Sequence, residues 1–120
     1  MRKKRTKQRE LRHKRLRKKI FGTREKPRLC VYRSLKNFSA QLVDDTKGET
    51  ILLLSTFSKS AKDSINYGGN IKSAESLGKL FAQEAKNKGV TKVVFDKGGR
   101  FFHGRIKAFA DSARKEGLVF

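Results

Sequence analysis

The sequence predicts a small α/β fold: a three-strand antiparallel meander plus one parallel strand in a mixed sheet, packed with two helices and preceded by a basic arm. Three observations carry this prediction. Apolar residues recur with period two between residues 28 and 55, and with helical period in two segments beyond residue 70. The first 26 residues, by contrast, are almost devoid of them. At 120 residues the chain has the size of one domain.

The arm comes first. Residues 1–26 hold 14 Lys/Arg against Glu10 and Glu25, a net of +12, and after Met1 only Leu11, Leu16, Ile20 and Phe21 are sizeable apolar groups. That is too little to bury along its whole length. Yet KQRELRHKRLRKKIFG is rich in helix formers and has no breaker before Gly22. The expectation is an arm that is disordered by itself and at least partly helical once its charge is neutralised. Composition changes near Pro27, so residues 1–26 read as arm and connector and residues 27–120, with a net of +8, as the globular domain.

The strands follow. In RLCVYRS, Leu29, Val31 and Arg33 share one face while Arg28, Cys30 and Tyr32 share the other. FSAQLVD alternates likewise, with Phe38, Ala40 and Leu42 together. TILLLST is nearly continuous, which predicts a strand buried on both faces. Short polar turns, Ser34–Asn37 and Asp44–Gly48, join the three into an antiparallel meander. A long polar loop, Ser55–Gly69, comes next. Asn70 is placed to cap a helix carrying Ile71, Ala74, Leu77, Phe81 and Ala85 on one face and stopping at Gly89. KVVFD is a fourth strand, and a second helix turns Ile106, Phe109, Ala110 and Ala113 inward before Gly117. A strand–helix–strand crossover is nearly always parallel, so the fourth strand should pair with one of the first three.

Charge and rare residues narrow the function. Lys and Arg number 31 against 11 acids, a formal net charge of +20. Such an excess disfavours compactness unless a polyanion neutralises it. No apolar stretch follows the basic start as a signal peptide requires, and none has the length of a membrane span. Cys30 is the single cysteine, which excludes an internal disulfide and fits a reducing compartment. Within an apolar strand it reads as a small buried hydrophobe rather than a nucleophile. His13, His103 and Cys30 have no metal-ligand spacing. No cofactor, metal, membrane or small-molecule substrate is expected.

The stretch VVFDKGGRFFHGRIKAFADSA, Val93–Ala113, admits three chemistries. Asp96 at a strand end and His103 beyond a glycine turn suit an acid–base pair, but no second carboxylate joins Asp96 and no nucleophile accompanies His103. A nucleotide loop needs Gly-x4-Gly-Lys-Ser/Thr or Gly-x-Gly-x-x-Gly, and neither is present. A plain strand-to-helix turn needs the positive φ that Gly98 and Gly99 permit, but it leaves Lys97, Arg100, Phe101, Phe102, His103 and Arg105 unexplained. Basic groups interleaved with aromatics suit RNA, pairing with phosphates and stacking on unpaired bases. Part of the Phe101/Phe102 pair is expected in the core, because the helix must pack. The interleaving recurs in VYRSLKNFSAQ, where Tyr32, Arg33, Lys36, Asn37 and Phe38 surround a turn, although Tyr32 reads equally as an ordinary strand aromatic. A parallel fourth strand beside the first would bring both clusters to one sheet edge, together with the arm.

KPRLCVYRSLKNFSAQLVDD, VVFDKGGRFFHGRIKAFADSARKEGLVF and the basic arm closely resemble the L-eighteen family of large-subunit ribosomal proteins in its bacterial form, over essentially the whole chain. The resemblance implies a small sandwich of ribonuclease-H-like topology without catalysis. It implies binding to 5S rRNA, which such proteins help fix to 23S rRNA in the central protuberance, next to the L-five protein. The location implied is a ribosome, in the cytoplasm or in a plastid. Carried over by position, the RNA-facing candidates in the arm are Arg2, Lys3, Lys4, Arg5, Lys7, Arg9, Arg12, Lys14, Arg15, Arg17, Lys18 and Lys19. Around the first strand and turn they are Arg28, Tyr32, Arg33, Ser34, Lys36, Asn37 and Phe38. In the glycine loop they are Lys97, Gly98, Gly99, Arg100, Phe102, His103, Gly104 and Arg105. Asp96 is expected to orient Gly98, Gly99 or an arginine, because an unpaired acid on an RNA face repels phosphate.

Overall fold

A computed structural model describes residues 2–56 and 70–120. The Ser55–Gly69 loop therefore lies almost wholly outside the described residues. In chain order the elements are helix α1 (Arg2–Arg17), strands β1 (Arg28–Arg33), β2 (Phe38–Asp44) and β3 (Glu49–Ser55), helix α2 (Ile71–Asn87), strand β4 (Val94–Asp96) and helix α3 (Gly104–Lys115). The sheet runs β3-β2-β1-β4. β1–β2 and β2–β3 are antiparallel, and β4 lies parallel to β1, pairing Leu29 with Phe95 and Cys30 with Asp96. The expected mixed sheet is present.

Strand alternation sorts the two faces of the sheet. Leu29, Val31, Phe38, Ala40 and Leu42 point to one side, where they form the core with Leu77, Phe81, Phe109 and Ala113 from the two carboxy-terminal helices. The Phe109 ring lies 5.3 Å from that of Phe38 and 5.7 Å from that of Phe81, in tilted and edge-on arrangements favoured by aromatic pairs. α2 and α3 approach closely at Gly78, where a Cβ would come 2.5 Å from the Phe109 carbonyl oxygen. The expected cap is a reciprocal one: the Asn70 side chain accepts from the Ser73 N–H at 2.8 Å, and Ser73 Oγ accepts from the Asn70 N–H. The opposite face carries Arg28, Cys30 and Asp96, and α1 lies across it.

Two expectations are corrected. β3 is not buried on both faces: Leu53 is 61% exposed. The order puts β3 at the sheet edge, and α1 covers the β1–β4 side instead. Ile71, expected on the inner face of its helix, is half-exposed, because the first helical residue precedes the stretch of α2 that meets the sheet.

Candidate nucleic-acid interface

Because β1 and β4 are parallel, both chains leave the sheet at the same edge. The Ser34–Asn37 turn and the Lys97–Gly104 loop therefore emerge side by side. Arg105, in the first turn of α3, ties them together: Nη2 donates to the Ser34 carbonyl at 2.8 Å and Nη1 to the Asn37 carbonyl at 3.3 Å. The turn is closed by Ser34 N–H donating to the Asn37 carbonyl at 2.9 Å, and Asn37 Oδ1 accepts from the Thr56 hydroxyl at 2.8 Å.

Asp96 organises the glycine loop from beneath. It is 1% exposed, and its Oδ1 accepts from the Gly98 N–H at 2.9 Å. Its Oδ2 accepts from Arg28 Nη1 at 2.8 Å and from His13 Nε2 at 3.0 Å. Burial pushes the carboxyl pKa up, but the His13, Gly98 and Arg28 hydrogen bonds outweigh it and hold the group below the usual carboxylate range. Asp96 thus orients Gly98 and an arginine, the role expected of it.

Arg28 spans two acids. Besides Asp96, it binds Asp45 through Nε at 2.9 Å and Nη2 at 3.1 Å, the forked geometry that suits a guanidinium. Asp45 also accepts from the Gly22 N–H at 2.8 Å, which fastens the connector to the domain. Arg28 is therefore held inside the protein, and its place among the RNA-facing residues is corrected to a structural one. Beside it, burial pushes the Cys30 thiol up to about 12, so at neutral pH it is not a nucleophile.

α1 meets the loop through backbone and polar side chains. Arg12 Nε donates to the Gly99 carbonyl at 3.0 Å, and the Arg12 guanidinium sits 4.8 Å from the Phe101 ring centre. Gly99 has φ +77°, and a Cβ there would come 2.4 Å from the Arg9 carbonyl oxygen and 3.0 Å from the His13 nitrogen. Both reasons for glycine hold at this position, and the backbone that approaches so closely is that of α1.

Between α1 and the loop runs a groove of about 510 Å³ lined by Thr6, Gln8, Arg9, Arg12, Arg33, Arg100, Phe101 and His103. Burial, then repulsion from Arg9, Arg33 and Arg105, lowers the pKa of Arg100 from its ordinary value. Among the described residues, none of Arg9, Arg33 and Arg100 has a carboxylate within ion-pair distance. Crowded guanidinium groups without described carboxylate partners, with Phe101 65% exposed beside them, have the chemistry that phosphates and unpaired bases fit.

The other expected residues divide. Lys7, Lys14, Arg15, Lys18, Lys19, Ser34 and Lys36 are exposed, and Tyr32 is half-exposed with its hydroxyl accepting from Gln41 Nε2 at 2.9 Å. Arg2, Lys3, Lys4 and Arg5 begin α1. Arg17 turns back, donating to the Ile20 carbonyl at 2.7 Å and lying 3.6 Å from Asp45. Lys97 is half-buried, and Gly104 opens α3 with φ +60°. Phe38 is fully buried against Phe109 and cannot stack on a base, a correction that follows from its sharing a strand face with Ala40 and Leu42. Neither Phe101 nor Phe102 is core. Phe102 is 37% exposed and packs on the edge of Phe95, with Arg114 5.7 Å from its ring. Sequence reasoning missed His13 and Asp45. The available signals were one imidazole amid Lys and Arg, and a turn acid beyond what an Asp-Asp turn requires.

Comparison with known proteins shows the family. The family described as "Ribosomal L18 of archaea, bacteria, mitoch. and chloroplast" matches residues 3–120. The large ribosomal subunit protein uL18 of Caldicellulosiruptor saccharolyticus is 51% identical over 116 residues, 97% of this chain and 94% of that protein. That of Aquifex aeolicus is 55% identical over 111 residues, 91% and 90% of the two chains. That of Acidobacterium capsulatum is 53% identical over 108 residues, 90% and 88%. Arm, meander and glycine loop all fall within the matched span, and the chain belongs to the ribosomal L18 family.

Proposed function

We propose that this protein, a structural component of the large ribosomal subunit and not an enzyme, binds 5S rRNA and helps attach it to 23S rRNA in the central protuberance, beside the L-five protein. The observation that carries RNA binding is the groove between α1 and the glycine loop, where Arg9, Arg33 and Arg100 stand together without described carboxylates next to exposed Phe101. The family resemblance supports the particular RNAs and the protein neighbour. The division of labour follows the composition. Residues 1–26 supply most of the positive charge, while residues 27–120 present the turn and loop that read shape and unpaired bases. The RNA-facing set is the arm with Tyr32, Arg33, Ser34, Lys36, Asn37, Lys97, Gly98, Gly99, Arg100, Phe102, His103, Gly104 and Arg105, in a protein bound to cytoplasmic ribosomes.

Competition at matched salt between 5S rRNA and random RNA of equal length tests the reading. A protein that recognises 5S rRNA keeps its preference as salt rises. A general compacting protein binds by counterion release alone and shows almost no preference. The second result, or failure of the chain to travel with large subunits in a gradient, overturns the proposal.

A further inference from the structure

We propose that His13 and Asp96 are positioning residues for RNA binding: their hydrogen bond latches α1 onto the glycine loop, so that arm and loop meet RNA as one preformed surface. The inference rests on the RNA-binding reading above and specifies how the arm takes part in it.

The argument begins with what cannot hold α1 in place. None of Thr6–Arg17 is buried, and its central leucine, Leu11, is 48% exposed. Hydrophobic burial, which fastens α2 and α3, is not available to it. Electrostatics at long range opposes docking, because a helix bearing Arg9, Arg12, Lys14 and Arg15 faces a loop bearing Lys97 and Arg100. Attraction must come from a few directional contacts.

Besides the Arg12 guanidinium on the Phe101 ring, two hydrogen bonds join α1 to the loop and the strand end beneath it. Arg12 reaches the Gly99 carbonyl at 3.0 Å, and His13 reaches Asp96 at 3.0 Å. The second is the stronger anchor. Asp96 is 1% exposed and is itself fixed by Gly98 and Arg28, so its oxygen is held at a set position. A carboxylate only accepts, so Nε2 of His13 carries the shared proton. The short imidazole holds the helix backbone within contact distance of Gly99, whose missing side chain makes room for the Arg9 carbonyl. A lysine or arginine at position 13 could also donate to Asp96 but would stand the helix off. Docked in this way, α1 supplies Arg9 and Arg12 to the groove whose other wall holds Arg33 and Arg100. A surface assembled before RNA arrives has already met the ordering cost, which raises affinity without adding a phosphate contact.

The test uses the full-length protein with His13→Ala, His13→Gln and Gly99→Ala. Amide exchange along α1 in the free protein reports docking, and competition binding at matched salt reports affinity. His13→Ala is expected to lose α1 protection and to bind 5S rRNA about tenfold more weakly. Its salt slope should stay within about one unit of the parent's, since every Lys and Arg remains. His13→Gln, whose amide can donate to Asp96, should recover most of the loss. Gly99→Ala displaces the helix from the other side of the same contact and should reproduce the loss of protection. The latch is refuted if His13→Ala keeps α1 protected, if protection is lost while affinity stays, or if circular dichroism shows the domain unfolded. Should the parent bind random RNA as well as 5S rRNA, the 5S reading fails; protection and affinity for either RNA still decide the latch.

Discussion

Helices α1 and α2 have nearly equal lengths, 16 and 17 residues, but are held by opposite kinds of force. α2 buries Ala74, Leu77, Phe81, Ala82 and Ala85 against the sheet and α3, a non-directional attraction proportional to apolar area. From Thr6 to Arg17, α1 has no buried residue and is attached by polar groups: His13 to Asp96, Arg12 to the Gly99 carbonyl and the Phe101 ring, and Arg17 near Asp45. The difference separates two tasks. α2 is part of the packed core, whereas α1 contributes charge and one wall of the groove.

The largest expected effects break this comparison from both sides. Phe81→Ala in α2 empties a fully buried ring position and should cost about 3–5 kcal/mol of stability, read by urea unfolding. Removing residues 1–21 deletes all of α1 with 12 Lys/Arg and only Glu10, a net of +11, yet should leave a folded domain. Each lost phosphate contact lowers the salt slope of RNA binding by about 0.7–0.9, and a fall of roughly 3–6 units is expected, since not every cation touches RNA. Preference for 5S rRNA should fall less than affinity. If the truncated chain loses its circular dichroism, α1 belongs to the core after all. If the slope is unchanged, the arm is not the electrostatic anchor.

A smaller effect is expected at the node between the two regions. Arg28→Ala leaves Asp45 and Asp96 without their shared guanidinium and should cost about 3 kcal/mol at neutral pH, because both carboxylates sit in largely buried positions. Both carboxyls are held below their ordinary range: burial raises each pKa, and the hydrogen bonds from Arg28 and its neighbours outweigh it. A depressed carboxyl stabilises the fold above its unfolded pKa, near 4, and loses that contribution as pH falls through the folded value. The parent should therefore weaken as pH falls below about 4, and Arg28→Ala should weaken less steeply there. Parallel urea midpoints across the range check this; equal acid slopes would mean that Arg28 does not set the two carboxylates.

What the sequence made legible follows the same divide. Period-two and helical patterns located the sheet, α2 and α3, because burial writes itself into spacing. A parallel partner for β4 followed from the crossover rule, but that this partner is β1, which assembles the turn and the loop, did not. Phe38 was misplaced because an aromatic beside a basic turn looks the same whether it stacks on a base or fills a core; its strand parity with Ala40 and Leu42 was the better guide. The burial of Leu53 was overestimated because a run of leucines does not state whether its strand is central or at an edge. The docking of α1 was invisible for a physical reason. A contact made by one imidazole and two backbone stretches leaves no periodic trace, and Gly99 records only that something comes close.

The smallest expected effect separates two arginines that composition treats alike. Arg33, at the end of β1, lines the groove and has no described carboxylate partner, so its charge is available to phosphate. Arg105 donates to the Ser34 and Asn37 carbonyls and so holds the turn beside the loop. Arg33→Ala should weaken RNA binding by about 1–2 kcal/mol and lower the salt slope by about one. Arg105→Ala should leave the slope nearly unchanged, since a guanidinium committed to carbonyls releases few counterions. Its cost should come instead from a loosened turn, about 1 kcal/mol in affinity, with faster amide exchange at Asn37. Salt titrations of the two variants distinguish these roles. A loss of slope in Arg105→Ala equal to that of Arg33→Ala would show that Arg105 leaves the turn for phosphate when RNA binds.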